Sequence, residues 1–223
     1  MDIKTTLIKM TQHPNTHARW LNSLSYLEYR GLRMILRSQK TADIDDGVLT
    51  HALEEARHAL YFKKLAMKVG GHYFSQYNTE TLLSVNHLKS YFYNLDKETL
   101  FHYKTSAEHF ENKKVYELMT WIIEERALLV YQIYDDVLRN QCFDFNLAPV
   151  LSDEAKHLDK VRSLTKDLSA SKIKLQSIEE NYFQIAWKAF QMEIQTLDHV
   201  KERSNQIHHN QQDSQSSAPE RIS

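Results

Sequence analysis

Cysteine is nearly absent from this chain: Cys142 is the only one in 223 residues. A single thiol excludes an internal disulfide framework and any cysteine-clustered zinc or iron-sulfur site within one chain. Turn-makers are almost as scarce, with four Gly and three Pro, and no run sustains an alternation of apolar and polar residues, so a many-stranded sheet is excluded too. Neither sign of charge prevails. With 28 basic and 29 acidic residues the formal net charge is -1, which offers no broad field to nucleic acid or to an anionic membrane. No stretch approaches the roughly 20 apolar residues of a spanning helix, and Met1 to Pro14 lack the apolar core of a signal peptide. These absences predict a soluble, cytoplasmic, all-α protein. At 42% hydrophobic residues the chain is long enough for one substantial core.

What remains is apolar residues at helical spacing. After Pro14, with Thr16 as a candidate cap, Trp20, Leu21, Leu24, Leu32 and Ile35 recur on one face of a helix expected to stop near Lys40. Glu28 falls in the middle of that face. Asp43 to Gly47 read as a turn that caps a second helix running to Val69 and ended by Gly70-Gly71. Thr81 to Tyr93 form a short crossover helix, and Asp96 is positioned to cap another from Lys97 to about Phe110. A long helix then spans Lys114 to Leu138, marked by Val115, Leu118, Ile122, Leu129 and Ile133. Another follows Pro149, and a last runs from about Lys172 to His199. Surplus apolar residues on that last helix suggest a homodimer, with Trp187 and Phe190 near the contact or beneath it. Residues 1–203 are expected to form one domain and residues 204–223 a polar tail.

Two short stretches carry chemistry. Glu54-Glu55-Ala56-Arg57-His58 is nearly repeated as Asp153-Glu154-Ala155-Lys156-His157. Each has an acid followed by Glu-x-x-His, and on a helix the Glu and His at i and i+3 project from one side, where they can hold one metal ion. Composition alone yields about one such motif by chance, so the arrangement must carry the inference. Val48, Ala52, Ala59 and Phe62 share the face of Glu55 and His58, with His51 one turn earlier, and Val150 and Val161 share that of Glu154 and His157. A fourth helix offers Glu124 or Glu125. Apolar neighbours matched against those of Glu28 favour Glu125, whereas local wording, Glu124-Glu125-Arg126-Ala127-Leu128 beside Glu28-Tyr29-Arg30-Gly31-Leu32, favours Glu124. The expected set is Glu28, Glu55, His58, Glu125, Glu154 and His157. With Glu125 inside, the connection near Cys142 has to run partly back along its helix to bring Glu154 level.

Over roughly residues 16–168 this pattern resembles the ferritin-like di-iron carboxylate superfamily, which includes rubrerythrins, the ribonucleotide reductase small subunit and bacterial hydrocarbon monooxygenase hydroxylases. There a Glu from each of two helices joins a Glu-x-x-His from each of the other two. The resemblance implies a four-helix bundle with a crossover connection, an additional C-terminal helix, and two iron ions, with Mn-Fe or Mn-Mn as variants. It implies an oxygenase that activates dioxygen to oxidise a small organic substrate, supplied with electrons by a separate donor. It also casts Glu54 and Asp153 as the acids that orient the ligating histidines, and His51 as either a further ligand or a supporting residue. Alternatives are a ferroxidase or rubrerythrin-like peroxide reductase, and a metal-free helical interaction protein.

Overall fold

A computed structural model describes residues 2–38, 44–106, 112–164 and 169–216. Among them are seven α-helices and one 3-10 turn, and no strand. Helix α1 spans Ile3–Thr11, α2 Pro14–Ser38, α3 Asp46–Gly70, α4 Val85–Ser106, α5 Asn112–Asn140, α6 Ala148–Leu164 and α7 Ser169–Ser216. The all-α expectation holds, and no described helix is long and apolar enough to cross a membrane. The expected helix end near Lys40, the turn residue Asp43 and the helix end near Phe110 lie outside the described residues, as do 217–223.

Local chemistry fixes the helix ends. The Asp45 carboxylate accepts from the Val48 N–H at 2.8 Å and starts α3. At the other end Gly71, with φ of 84° and ψ of -178°, turns the chain in a conformation that any Cβ would oppose, and its N–H caps the Met67 carbonyl at 2.8 Å. Pro14, rather than a capped Thr16, begins α2, where its missing N–H costs nothing. Helix α1 is an element that sequence reading left unassigned. It is capped by Asp2 and buries Thr6, Leu7, Met10 and Thr11.

Helices α2 and α3 pack along each other, as do α5 and α6, while α4 crosses from the first pair to the second and packs against α7 and α5. The α2–α3 register is pinned where the Ser25 hydroxyl donates to the Ala59 carbonyl at 2.6 Å, which brings Glu28 level with Glu55 and His58. On the other side Asp135 accepts from the Leu147 N–H at 2.6 Å. The 141–147 connection therefore folds back along α5, as the heights of the two helices demand, and Cys142 makes the reversal with φ of 56°. Asp96 caps nothing: it lies inside α4, which runs unbroken from 85 to 106.

The core beneath these pairs is aromatic. Trp20 meets Trp187 and Phe190 edge-on, each at 5.9 Å between ring centroids, and Tyr134 at 5.9 Å. Trp187 and Phe190, expected near a subunit contact or beneath it, are interior residues of the single chain, both only 4% exposed. Trp20 anchors that cluster, and truncating it to Ala costs about 3–5 kcal/mol. Helix α7 continues to Ser216, so residues 204–216, read from composition as a tail, extend the helix.

Candidate metal centre

Four helices converge on one buried polar cluster. Helix α2 contributes Glu28, α3 contributes His51, Glu55 and His58, α5 contributes Glu124, and α6 contributes Glu154 and His157, all of them buried. Their potential ligand atoms fall into two groups, His51, Glu55, Glu124 and His157 in one and Glu28, Glu55, His58 and Glu154 in the other. Within each group the atoms lie within 4.8 Å of one another, and Glu55 belongs to both. Two metal-sized sites sharing a carboxylate is the geometry of a dinuclear centre.

The histidines show which way the site faces. His51 Nε2, His58 Nδ1 and His157 Nδ1 are buried without a hydrogen-bond partner, as are both carboxylate oxygens of Glu124. The opposite nitrogen of each ring is engaged. His51 Nδ1 bonds to the Tyr116 hydroxyl at 2.6 Å, His157 Nε2–H donates to Glu54 at 2.5 Å, and His58 Nε2–H donates to Asp153 at 3.4 Å. Each partner thus fixes a ring and leaves its other nitrogen turned inward towards the carboxylates, an arrangement like that by which outer groups hold metal-binding histidines. The two repeats serve each other: the acid before each Glu-x-x-His holds the histidine of the opposite one. None of the five completes a hydrogen bond, although carboxylate oxygens stand 3.1, 3.2 and 3.5 Å from the nitrogens of His51, His58 and His157, and a group bound among them would complete them.

The charges lead to the same conclusion. Burial, then the carboxylates of Glu28, Glu154 and Glu124, push the Glu55 carboxyl well above its usual range, and burial with Glu28 and Glu124 raises Glu154 to about 7. Burial alone would depress His58, but the facing carboxylates of Glu154 and Glu28 outweigh it and raise the ring to about 11. Without metal the site holds protons because four buried carboxylates cannot all ionise together. Two divalent cations would cancel that charge, with carboxylate and imidazole donors suited to Fe(II) or Mn(II).

Five of the six residues expected from the sequence meet here: Glu28, Glu55, His58, Glu154 and His157. Glu125 does not, and Glu124 takes the place assigned to it. The Glu125 carboxylate turns to the α5–α7 contact, where it accepts from Lys172 and Gln176, both at 2.5 Å, and from Trp121 at 2.9 Å. Burial opposes its ionisation, yet hydrogen bonds from Lys172 and Trp121 win and hold it below the usual carboxylate range. The apolar residues that favoured Glu125 are divided between two tasks. Ile122 packs inward, Trp121 packs on Leu158 and Val161 of α6, and Leu129 is left 43% exposed. His51 lies directly in the cluster, 3.1 Å from Glu124 and 3.3 Å from Glu55, with its ring 4.4 Å from that of His157. Its signal was the spacing His51-x-x-x-Glu55-x-x-His58, which puts all three on one helix face.

Two cavities reach the cluster. One of about 400 Å³, bounded by α2, α4 and α5, is lined by His51, Glu55 and Glu124 at the cluster. Another of about 110 Å³ meets Glu28, Glu55 and Glu154 and is otherwise mainly apolar, walled by Leu24, Tyr131, Phe183 and Trp187. Phe92 and Ile123 border both. The hydroxyl of buried Tyr131 donates to Glu28. Gly31 leaves room where a Cβ would stand 2.6 Å from Glu55 Oε2. Compared with protein-family models, with curated proteins and with solved structures, the chain gives no match.

Proposed function

We propose that this protein is a ferritin-like di-iron oxidoreductase that activates dioxygen and uses it to oxidise or hydroxylate a small organic substrate. The observation that carries the reading is the set of three inward-facing histidine nitrogens around a carboxylate common to two four-ligand groups. Glu55 would bridge, with His58, Glu28 and Glu154 on one side of it and His51, His157 and Glu124 on the other. An iron pair held there supplies the reduction of dioxygen, chemistry that no protein side chain performs.

The chain's own residues bind, orient and exclude water. Glu54, Asp153 and Tyr116 fix the three rings, and Tyr131 fixes Glu28 through its hydroxyl. Gly31, by having no Cβ, gives the Glu55 carboxylate the room it occupies, its Oε2 lying 2.6 Å from where that Cβ would stand. The apolar walls of the smaller cavity keep bulk water from the Glu28–Glu154 side. The larger cavity favours an organic substrate over Fe(II) as the molecule oxidised, because it is lined mainly by apolar side chains such as Met34, Met119 and Ile123. Electrons would come from a separate donor protein, since the single exposed Cys142 provides no redox pair.

The test is to load the protein anaerobically with Fe(II), admit oxygen, and follow oxygen consumption together with iron per chain. Oxygen consumed at a constant two irons per chain supports the reading. Loaded iron that consumes no oxygen overturns it, and iron accumulating far beyond two per chain would replace it with a storage role.

A further inference from the structure

The larger cavity contains a charge that no described residue pairs. Arg30, on α2, lines it beside Gly31, and its Nε is buried without a hydrogen-bond partner. Its guanidinium makes no ion pair among the described residues, whereas Arg19 pairs with Glu193 and Arg126 with Glu179 and Glu180. Arg30 is half-buried, arginine remains charged at any working pH, and burying its Nε without a partner carries a cost that a bound anion would relieve. Two other charged side chains border the cavity outside the metal cluster, Arg37 and Asp96, and both are exposed. Neither is seated to neutralise Arg30. Met34, Phe92, Met119 and Ile123 give the same cavity an apolar lining, and Glu124 also borders it.

We infer that this cavity binds an organic carboxylate, its charged end on Arg30 and its apolar body along Met34, Phe92, Met119 and Ile123, beside Glu124. The guanidinium fork matches a carboxylate through two parallel N–H donors, which a phenol or an amine cannot use. At about 400 Å³ the space is at the small end of ligand pockets, suited to a short aliphatic or single-ring acid. As the substrate class, the inference rests on the oxidoreductase reading above. It also assigns the approach: the acid's body meets the His51–Glu124 side, and the smaller apolar cavity lies beyond Phe92 and Ile123.

The test is calorimetric binding of octanoate, octan-1-ol and octylamine to the protein as isolated and after Zn(II) loading, where no oxygen chemistry intervenes. Octanoate is expected to bind about 10- to 100-fold more tightly than octanol, and octylamine least. Arg30→Met should abolish that preference while leaving octanol affinity and zinc content unchanged, Arg30→Lys should retain part of it, and Arg37→Gln should leave it intact. Equal affinity for octanoate and octanol, no binding of either, or a preference that survives in folded Arg30→Met overturns the inference. Should Arg30→Met not fold, the three-ligand ranking on the unaltered protein decides. The two readings fail separately. A protein that prefers octanoate but consumes no oxygen with iron loses its proposed reaction and keeps its ligand, and one that consumes oxygen but prefers octanol does the reverse.

Discussion

Replacing Gly31 by Ala separates metal binding from folding. In the middle of a helix Ala is favoured over Gly by about 1 kcal/mol, so on backbone grounds the change should stabilise α2. The added Cβ would stand 2.6 Å from Glu55 Oε2 and 3.5 Å from its Cδ. To reach ordinary contact at 3.4 Å the oxygen has to retreat by about 0.8 Å. In the metal-free protein that is cheap, because the atom is the end of a rotatable side chain. With two metals bound Glu55 would be pinned between them, and a displacement of about 0.8 Å is roughly four times the tolerance of about 0.2 Å on a metal–ligand distance. Metal-free Gly31→Ala should therefore melt at the same temperature as the parent or higher, by up to about 2–4 °C for a chain of this size. Its metal affinity should fall by roughly 10- to 100-fold, a loss like that seen when a ligand's support is removed. Thermal melts with and without Zn(II), together with metal analysis, measure both effects. Wild-type affinity in the variant would refute the placement of Glu55 in the site.

Glu124→Ala should lose bound iron while Glu125→Ala keeps it, since the first removes an oxygen donor from the cluster and the second a carboxylate already paired with Lys172. Loss in the Glu125 variant alone, read by metal analysis, would contradict this. Asp153→Asn should weaken metal binding about 10- to 100-fold with an unchanged helical circular dichroism spectrum, because it loosens the hold on His58 while its other partners, Arg57 and Lys156, are exposed side chains. Metal binding must displace protons from the site, the one on His58 among them, so affinity should rise with pH between 6 and 8, with log K climbing by at least about one per pH unit. In the metal-free protein the sign is opposite. Glu154 and His58 both have raised values when folded, so their contributions are fully present below pH 4.5 and 6.5 and are lost as pH rises towards about 7 and 11. Its melting temperature should fall between pH 5 and 8 while that of the metal-loaded form does not, and parallel profiles in a scanning calorimeter would count against the cluster as drawn.

The helices that carry the cluster were legible because each repeats apolar residues every three or four positions, and because a Glu-x-x-His pointing into such a face needs a partner. Glu124 was not, and the reason is physical. Helix α5 is covered on more than one side, by α1, α2, α4, α6 and α7, so its apolar residues do not define a single inward face. What distinguishes the two acids is α7, whose Lys172 and Gln176 satisfy Glu125 from a distant part of the chain. His51 was legible in principle, since spacings of four and then three residues put it in line with Glu55 and His58. Helix α1 was overlooked because nine residues ahead of a proline make a weak period, although Leu7 and Met10 are fully buried. In α4, Asp96 resembles a cap in sequence and is an exposed side chain at the rim of a cavity, a distinction made only by the neighbouring helices.

The most direct measurement is an anaerobic titration of the metal-free protein with Fe(II), followed to its end point with the iron per chain quantified. Seven buried candidate ligands in two groups that share Glu55 predict two ions per chain, with at least one ion lost in His51→Ala as in Glu124→Ala. An end point of zero or one in the unaltered protein, or two in all three proteins alike, would contradict a dinuclear centre at this site.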